Sequence, residues 1–295
     1  MRFTYAEALT DPSYMAPLAQ AADAAGYDAF LVPDSVAYPE VSNSIYPFTP
    51  DGSREFLEDK PLLEPFALIS ALAMVTERIR FTVSVLKLPV RHPLHTAKLA
   101  STAAVLSGNR LNLGVGVSPW PEDYEMTGTP WEGRGRRMDE CIDIVSSLLD
   151  GGYHEHHGEF FDLPSLKICP VPTQKVPILV GGHSGPALRR AARLDGWIHG
   201  GGSDDLGEMI ERVKQLRRES DRADEPFQIQ VISAEGFSVD GVRRLEDKGV
   251  TDVIVGFRWP YVVGADTEPL ADKIGALERF AETTIAACRC PPFCR

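Results

Sequence analysis

The tetrad Gly181-Gly182-His183-Ser184 closes an apolar run, VPILVGG, and stands just before a stretch that reads as a helix. Two glycines let the backbone come close to a ligand, and the unpaired N–H groups of a helix start attract anions. A phosphate is the group such a turn would hold. A plain strand-to-helix turn, with Ser184 acting only as a cap, would use the same residues. Gly200-Gly201-Gly202 is a second point of close approach, or simply a place where the chain turns. Arg91-His92-Pro93 opens another helix; Arg91 suits phosphate or a carboxylated tail as a charge-assisted donor, and His92 equally suits an N-cap. Asp34, ending the run DAFLVPD, is a carboxylate that could handle a proton or pair with loop donors.

Metal chemistry finds less support. His154, His156 and His157 lie in YHEHHGEFFDL, which alternates around Gly158 and reads as a hairpin; His154 and His156 then face one side and His157 the other. The five cysteines are Cys141, within a helix, Cys169, and Cys288, Cys290 and Cys294 in the tail AACRCPPFCR. A structural zinc wants four ligands, and the tail offers three cysteines. No metal site is expected, and residues 288–295 read as a Cys-rich tail without an assigned role.

The elements that would position these residues alternate between apolar runs and amphipathic stretches, the signature of parallel strands joined by crossover helices. Strands are expected at 2–8, 28–34, 79–88, 110–117, 176–182, 196–201, 227–235 and 251–257. Helices are expected at 12–25, 65–75, 93–106, 133–149, 185–194, 206–218, 239–248 and 269–287, with Gly26 and Gly196 as stop residues. Eight such pairs make a single α/β domain over residues 1–287, a (β/α)8 TIM barrel. An open doubly wound sheet would want G-x-G-x-x-G at the first turn, where residues 5–12 have none. Insertions follow strands two (35–64) and four (118–132), and the hairpin insertion (151–176) precedes strand five. The first two overhang the carboxyl ends of the strands, where barrels place their chemistry. They carry Tyr38, Tyr46, Phe48, Trp120, Tyr124 and Trp131, aromatics fit to line an apolar pocket or to pack the insertions down.

Composition narrows the partners. With 42 acidic against 30 basic residues and a net charge of −12, the chain repels phosphate backbones, so nucleic acid is not an expected partner. No run approaches the roughly 18 apolar residues of a spanning helix, so no membrane is expected. The opening MRFTYAEALTDPSYM reads as a first strand rather than a leader, and the sparse cysteines suit a reducing, cytoplasmic setting.

Three blocks carry a resemblance. Residues 76–140 (with SVLKLPVRHP and LSGNRLNLGVG), residues 177–198 (with VGGHS) and FLVPD at 30–34 resemble the luciferase-like monooxygenase superfamily, nearest the branch that uses the deazaflavin coenzyme F420. The resemblance implies a barrel that binds F420, or alternatively FMN, and moves a hydride or activates oxygen at the tricyclic ring. It implies that the bond Ser84–Val85 is either a non-prolyl cis peptide propping the ring or an ordinary strand peptide. It also sets Gly116 and Val117, with Gly181, Gly182, His183, Ser184, Gly200, Gly201, Arg91 and His92, on the cofactor side. A homodimer, a separate flavin or F420 reductase and a small organic substrate are further implications.

Two departures matter. Sugar-dehydrogenating members of the F420 branch carry a histidine where Ser35 stands and a glutamate near Gly116-Val117-Ser118. Neither Ser35 nor Val117 exchanges a proton near neutral pH, so sugar oxidation by that route is not expected. Three functions stay open: an F420-dependent oxidoreductase, an FMN-dependent monooxygenase using reduced flavin and oxygen, or a barrel that binds a ligand without turnover.

Overall fold

A computed structural model describes residues 1–289, apart from 8, 47, 48, 50, 203, 204, 259 and 260. Its strands are β1 (Arg2–Tyr5), β2 (Ala29–Val32), β3 (Arg80–Lys87), β4 (Leu111–Gly116), β5 (His154–His157), β6 (Asp162–Leu166), β7 (Ile178–Gly181), β8 (Gly196–His199), β9 (Gln228–Ile232) and β10 (Asp252–Val255). Eight of them close a parallel barrel in the order β1-β10-β9-β8-β7-β4-β3-β2, while β5 and β6 pair as a separate antiparallel hairpin. The TIM barrel expected from the alternation is the fold observed.

Side-chain alternation divides the core in two. Phe30, Val32, Ile178, Val180, Trp197, Val253 and Val255 face the helices and join one large cluster. Their inward neighbours Leu31, Leu179, Ile198 and Ile254 form a second, small cluster, with Ala6 and Val85 packed against it. Period-two alternation in a strand produces this split. At roughly 1.5–3 kcal/mol for each fully buried aliphatic, the inner layer is a substantial anchor as well as a surface.

The outer helices are α1 (Met15–Ala24), α2 (Pro65–Ala73), α3 (Pro93–Leu106), the short α4 (Pro121–Met126), α5 (Arg134–Asp150), α6 (Gly185–Ala192), α7 (Leu206–Arg218), α8 (Val239–Asp247), α9 (Leu270–Phe280) and α10 (Ala286–Arg289). Gly26, with φ of +89°, ends α1 as expected. Gly196 does not stop α6; it opens β8, where a β-carbon would run into the Gln228 carbonyl. The stretch expected as one helix over 269–287 is broken by a π-helical turn at Ala281–Ile285. Arg289 donates to the Gly26 carbonyl (2.8 Å) and to Asp28 (2.7 Å), so the docked chain runs past residue 287. Cys288 is a free thiol; Cys290 and Cys294 lie outside the described residues, as does Phe48.

The hairpin leaves the amino end of the barrel after α5 but climbs back along that helix. Glu140 accepts from the backbone N–H groups of Phe160 (3.0 Å) and Phe161 (2.8 Å) and meets His156 Nε2 at 2.9 Å. Burial pushes the Glu140 carboxyl up, but His156 and these N–H groups outweigh it and hold it below its ordinary value. The charged side chains at the start of α5 reach neighbouring elements. Asp139 takes Arg190 of α6 (2.6 Å), Arg136 takes Glu159 (2.8 Å), and Arg137 donates to the Pro89 carbonyl (2.9 Å).

Candidate active site

The floor of the barrel mouth is built on an irregularity in β3. Its register with β4 shifts between Val83 and Leu86, and the Ser84–Val85 peptide is cis. Val85 turns its side chain across the barrel toward two glycines. A β-carbon at Gly116 would stand 2.7 Å from Val85 Cγ2, and one at Gly181 would stand 2.7 Å from Val85 Cγ1. Both are closer than real Cβ contacts permit, so these glycines are the seats for the valine. At Gly114, two residues earlier in β4, a β-carbon would collide with the Val83 carbonyl. Val85 and Ala6, half-buried, cap the buried inner cluster of Leu31, Leu179, Ile198 and Ile254 at the carboxyl ends of the strands.

On one side of this floor the turn after β7 meets the end of β8. Gly182 has φ of +116°, a region L-residues rarely adopt, and its carbonyl accepts from Trp197 Nε1 at 2.9 Å. Ser184 caps α6, its hydroxyl accepting from Ala187 N–H at 3.4 Å. The His183 and His199 rings stack at 4.5 Å between centroids and 13° between planes. Gly200 N–H donates to His183 Nε2 (3.4 Å) and Gly201 N–H to His199 Nδ1 (3.2 Å). Each ring therefore offers a lone pair to backbone, as a neutral imidazole does. Burial, then the His183 neighbour, push His199 down to about 4, against the opposing pull of the Ile232 carbonyl and Asp205. Burial likewise lowers His183. The expected cofactor-side residues Gly181, Gly182, His183, Ser184, Gly200 and Gly201 thus come together. His199 joins them, a residue the sequence reading passed over; its signal was a polar ring in the buried run GWIHGG.

The Asp34 side chain is fully buried and committed. One oxygen accepts from Lys87 N–H (2.9 Å), the other pairs with Arg91 Nη2 at 2.6 Å. That arrangement fastens the turn after β3 to the end of β2. His92 is exposed and caps α3, its Nδ1 accepting from Leu94 N–H at 3.3 Å. Val117 packs on the outer core rather than the inner cluster.

The two carboxyl-face insertions clasp each other. Glu122, at the start of α4, accepts from Ser42 Oγ (2.8 Å), Ser44 Oγ (2.7 Å) and Asn43 N–H (3.2 Å), with Arg54 3.8 Å away. Burial alone would raise this carboxyl, yet the serine hydroxyls and Arg54 hold it at about 2. Lys87, at the end of β3, pairs with Asp123 (2.9 Å) and lies over the Trp120 ring, which Arg54 covers at 4.2 Å. Tyr46 packs against Phe56, Trp120 and Tyr261, and Tyr124 against Trp131. Between these lids a cleft of about 120 Å³ is lined by Tyr38, Arg54, Leu57, Lys60, Leu62 and Trp120, among others.

A buried ion cluster, also unforeseen, sits beside β1 and β10. Lys273 of α9 lies 3.3 Å from Glu7, 2.9 Å from Asp266 and 3.1 Å from Glu268, and Arg258 reaches Glu7 at 2.7 Å. Glu7 also lines a small cavity with Phe30, Leu31 and Pro33. The reading of TYAEA as plain strand hid it, because β1 ends at Tyr5 and Glu7 falls on the rim. Among the described residues no cluster of His, Cys, Asp and Glu has metal-site geometry, and no helix is long and apolar enough to cross a membrane.

Comparison with known proteins gives this geometry a context. Residues 3–240 match the family model described as luciferase-like monooxygenase. An uncharacterized protein of Mycobacterium tuberculosis (strain ATCC 25618 / H37Rv), Rv0940c, is 61% identical over 287 residues, spanning 97% of this chain and 99% of its own length. Two solved structures share the fold end to end. Monooxygenase RslO1 from Streptomyces bottropensis superposes with a TM-score of 0.75 at 17% identity, covering 97% of this chain and 99% of its own. The coenzyme F420-dependent tetrahydromethanopterin reductase from Methanopyrus kandleri gives 0.74 at 15% identity, covering 98% and 99%. At those identities the likeness is one of fold.

Proposed function

Because this chain belongs to the luciferase-like monooxygenase family, we propose that it is an oxidoreductase that moves a hydride between coenzyme F420 and a small organic substrate at its barrel mouth. The observation that carries the reading is the Val85 floor: a half-buried apolar side chain, seated on two glycines over the inner cluster, beside an anion-suited turn. Its residues fit a planar ring with a phosphorylated tail. Val85 and Ala6, backed by Leu31, Leu179, Ile198 and Ile254, would support the ring, and Gly182 and Ser184 would meet the phosphate through backbone N–H groups and the α6 start. When bound, the deazaflavin supplies a carbon centre that gives or takes hydride.

The chain's own contribution is position, dryness and a proton. The clasp through Glu122 would keep the two lids over the floor and exclude water. Two carboxylates lie near the mouth. Asp34 is sealed between Lys87 N–H and Arg91, while Glu7 lines the cavity that reaches Leu31 and is backed by Lys273 and Arg258. Glu7 is the better placed of the two to exchange a proton with a substrate on the floor. The preference for F420 over FMN rests on the likeness of residues 76–198 to that branch.

Ultraviolet-visible titration of the purified chain with F420 and with FMN tests the reading. Micromolar binding of F420, followed by hydride exchange with members of a panel of enones, aldehydes and alcohols, is expected. Binding of FMN with no response to F420 would make the chain a flavin monooxygenase instead, and binding without turnover would make it a carrier.

A further inference from the structure

We propose that the cleft between the lids is a carboxylate-recognition site, and that the substrate is a small organic acid. Arg54 and Lys60 would hold its anionic group, with its apolar body between Trp120, Tyr38 and Leu57. This names the substrate class of the oxidoreductase reading and rests on it.

The cleft's lining sets the sign of its ligand. Ser35, Val36, Ala37, Tyr38, Pro39, Arg54, Leu57, Lys60, Leu62 and Trp120 include two cations and no carboxylate. The Arg54 counter-charge, Glu122, stands 3.8 Å off and is already saturated by Ser42 and Ser44. Two donors in this lining are buried and have no acceptor among the described residues: Arg54 Nε and Trp120 Nε1. The Arg54 side chain is 4% exposed, so water does not relieve it. A buried N–H can be satisfied only by an acceptor, and two unpartnered donors on residues that line a cleft with two cations favour an oxygen-bearing anion. Lys60 donates to the Gly264 carbonyl, and burial, then the Arg258 charge, lower its pKa against Asp266; an incoming carboxylate would act in the opposite sense and favour its charged form.

Position argues for substrate rather than cofactor. In the ring of eight strands, β2, which carries this lid, stands opposite β8 and three strands from β7, which carries the phosphate-side turn. One tail cannot occupy both. Leu62 lines the lid cleft and also the cavity that contains Leu31 and Glu7, so the two spaces share a wall next to the floor. An acid anchored at Arg54 would extend its apolar end toward that wall.

The test is isothermal titration of the full chain with benzoate, phenylacetate and 4-hydroxybenzoate, each against its own amide, at low and high salt. At least one acid is expected to bind at least tenfold more tightly than its amide, and to weaken in salt. Both Arg54→Gln and Lys60→Gln should weaken that acid at least tenfold while leaving the amide unchanged. Arg54→Gln also disturbs the lid clasp, so Lys60→Gln decides if the first variant unfolds. Amides that bind as well as acids, no acid binding, or full affinity in Lys60→Gln overturns the site. Cofactor titration on the same samples separates the two ideas. F420 or FMN binding without acid discrimination sinks only the site, and acid discrimination without either cofactor sinks only the redox reading.

Discussion

The Cγ2 methyl of Val85 lies 2.7 Å from the point where a β-carbon on Gly116 would begin. Two strands thus share one volume, and the valine holds it only because β4 has a glycine there. The same residue fills the space that a side chain at Gly181 would need, so one side chain ties β3, β4 and β7 into a single surface. The shape of the floor is therefore a packing property and can be changed by one methyl.

Gly116→Ala adds that methyl. Overpacking of this kind costs about 1–3 kcal/mol, and displacement of Val85 should weaken cofactor binding at least tenfold. The double variant Gly116→Ala/Val85→Ala should recover most of the stability. Urea unfolding and F420 titration measure both; unchanged affinity in Gly116→Ala would count against the floor.

Gly182 has φ of +116°, and a β-carbon there would lie 3.3 Å from Ala187 Cβ. Gly182→Ala should rearrange the turn and lower affinity for F420, while its dephosphorylated deazaflavin core binds as before. Ser184→Ala should cost about 1 kcal/mol through loss of the α6 cap. Equal loss for the phosphorylated and dephosphorylated forms would remove the phosphate from this turn.

The Asp34–Arg91 pair is buried on the carboxylate side. Arg91→Ala leaves that carboxylate with the Lys87 N–H but no cation, at a cost of about 3–5 kcal/mol. Asp34→Asn/Arg91→Gln should cost clearly less, because no lone charge remains inside. A double-mutant cycle by chemical denaturation reads the coupling, and additive losses would show that the pair contributes little.

His199 gives the pH dependence a sign. Its folded-state value, about 4, lies below the ordinary 6.5, so the folded chain resists a proton that the unfolded chain accepts. Stability should be full above pH 6.5, fall as pH drops toward 4, and be flat in this respect below that. The loss approaches about 3 kcal/mol. His199→Phe keeps a ring against His183 and should abolish this part of the slope in unfolding measured from pH 7 to 4.

The barrel was legible because its cause is local. Alternating apolar runs at VPILVGG, DAFLVPD and TDVIVGF can be buried on both faces only in a parallel sheet covered by helices, and Gly26 and Ser184 mark helix ends by their own conformational and capping chemistry. The clustering of Gly181–Ser184 with Gly200–Gly201 followed from the same count of strands. Boundaries were less legible: Gly196 opens the strand expected at 196–201, where Gln228 leaves no room for a side chain, but it does not also stop α6, which ends at Ala192.

The sequence by itself determined the strand order of apolar and polar positions, the glycines and the turns, since these depend on backbone propensity within a few residues. Tertiary structure alone decided who meets whom at the rim. Asp34 finds Arg91 across 57 positions, Glu7 finds Lys273 across 266, and Glu122 finds Ser42 across 80. Ion pairs and hydrogen bonds act over a few ångströms, so partners this distant in the chain are set by barrel closure, and no local pattern announces them.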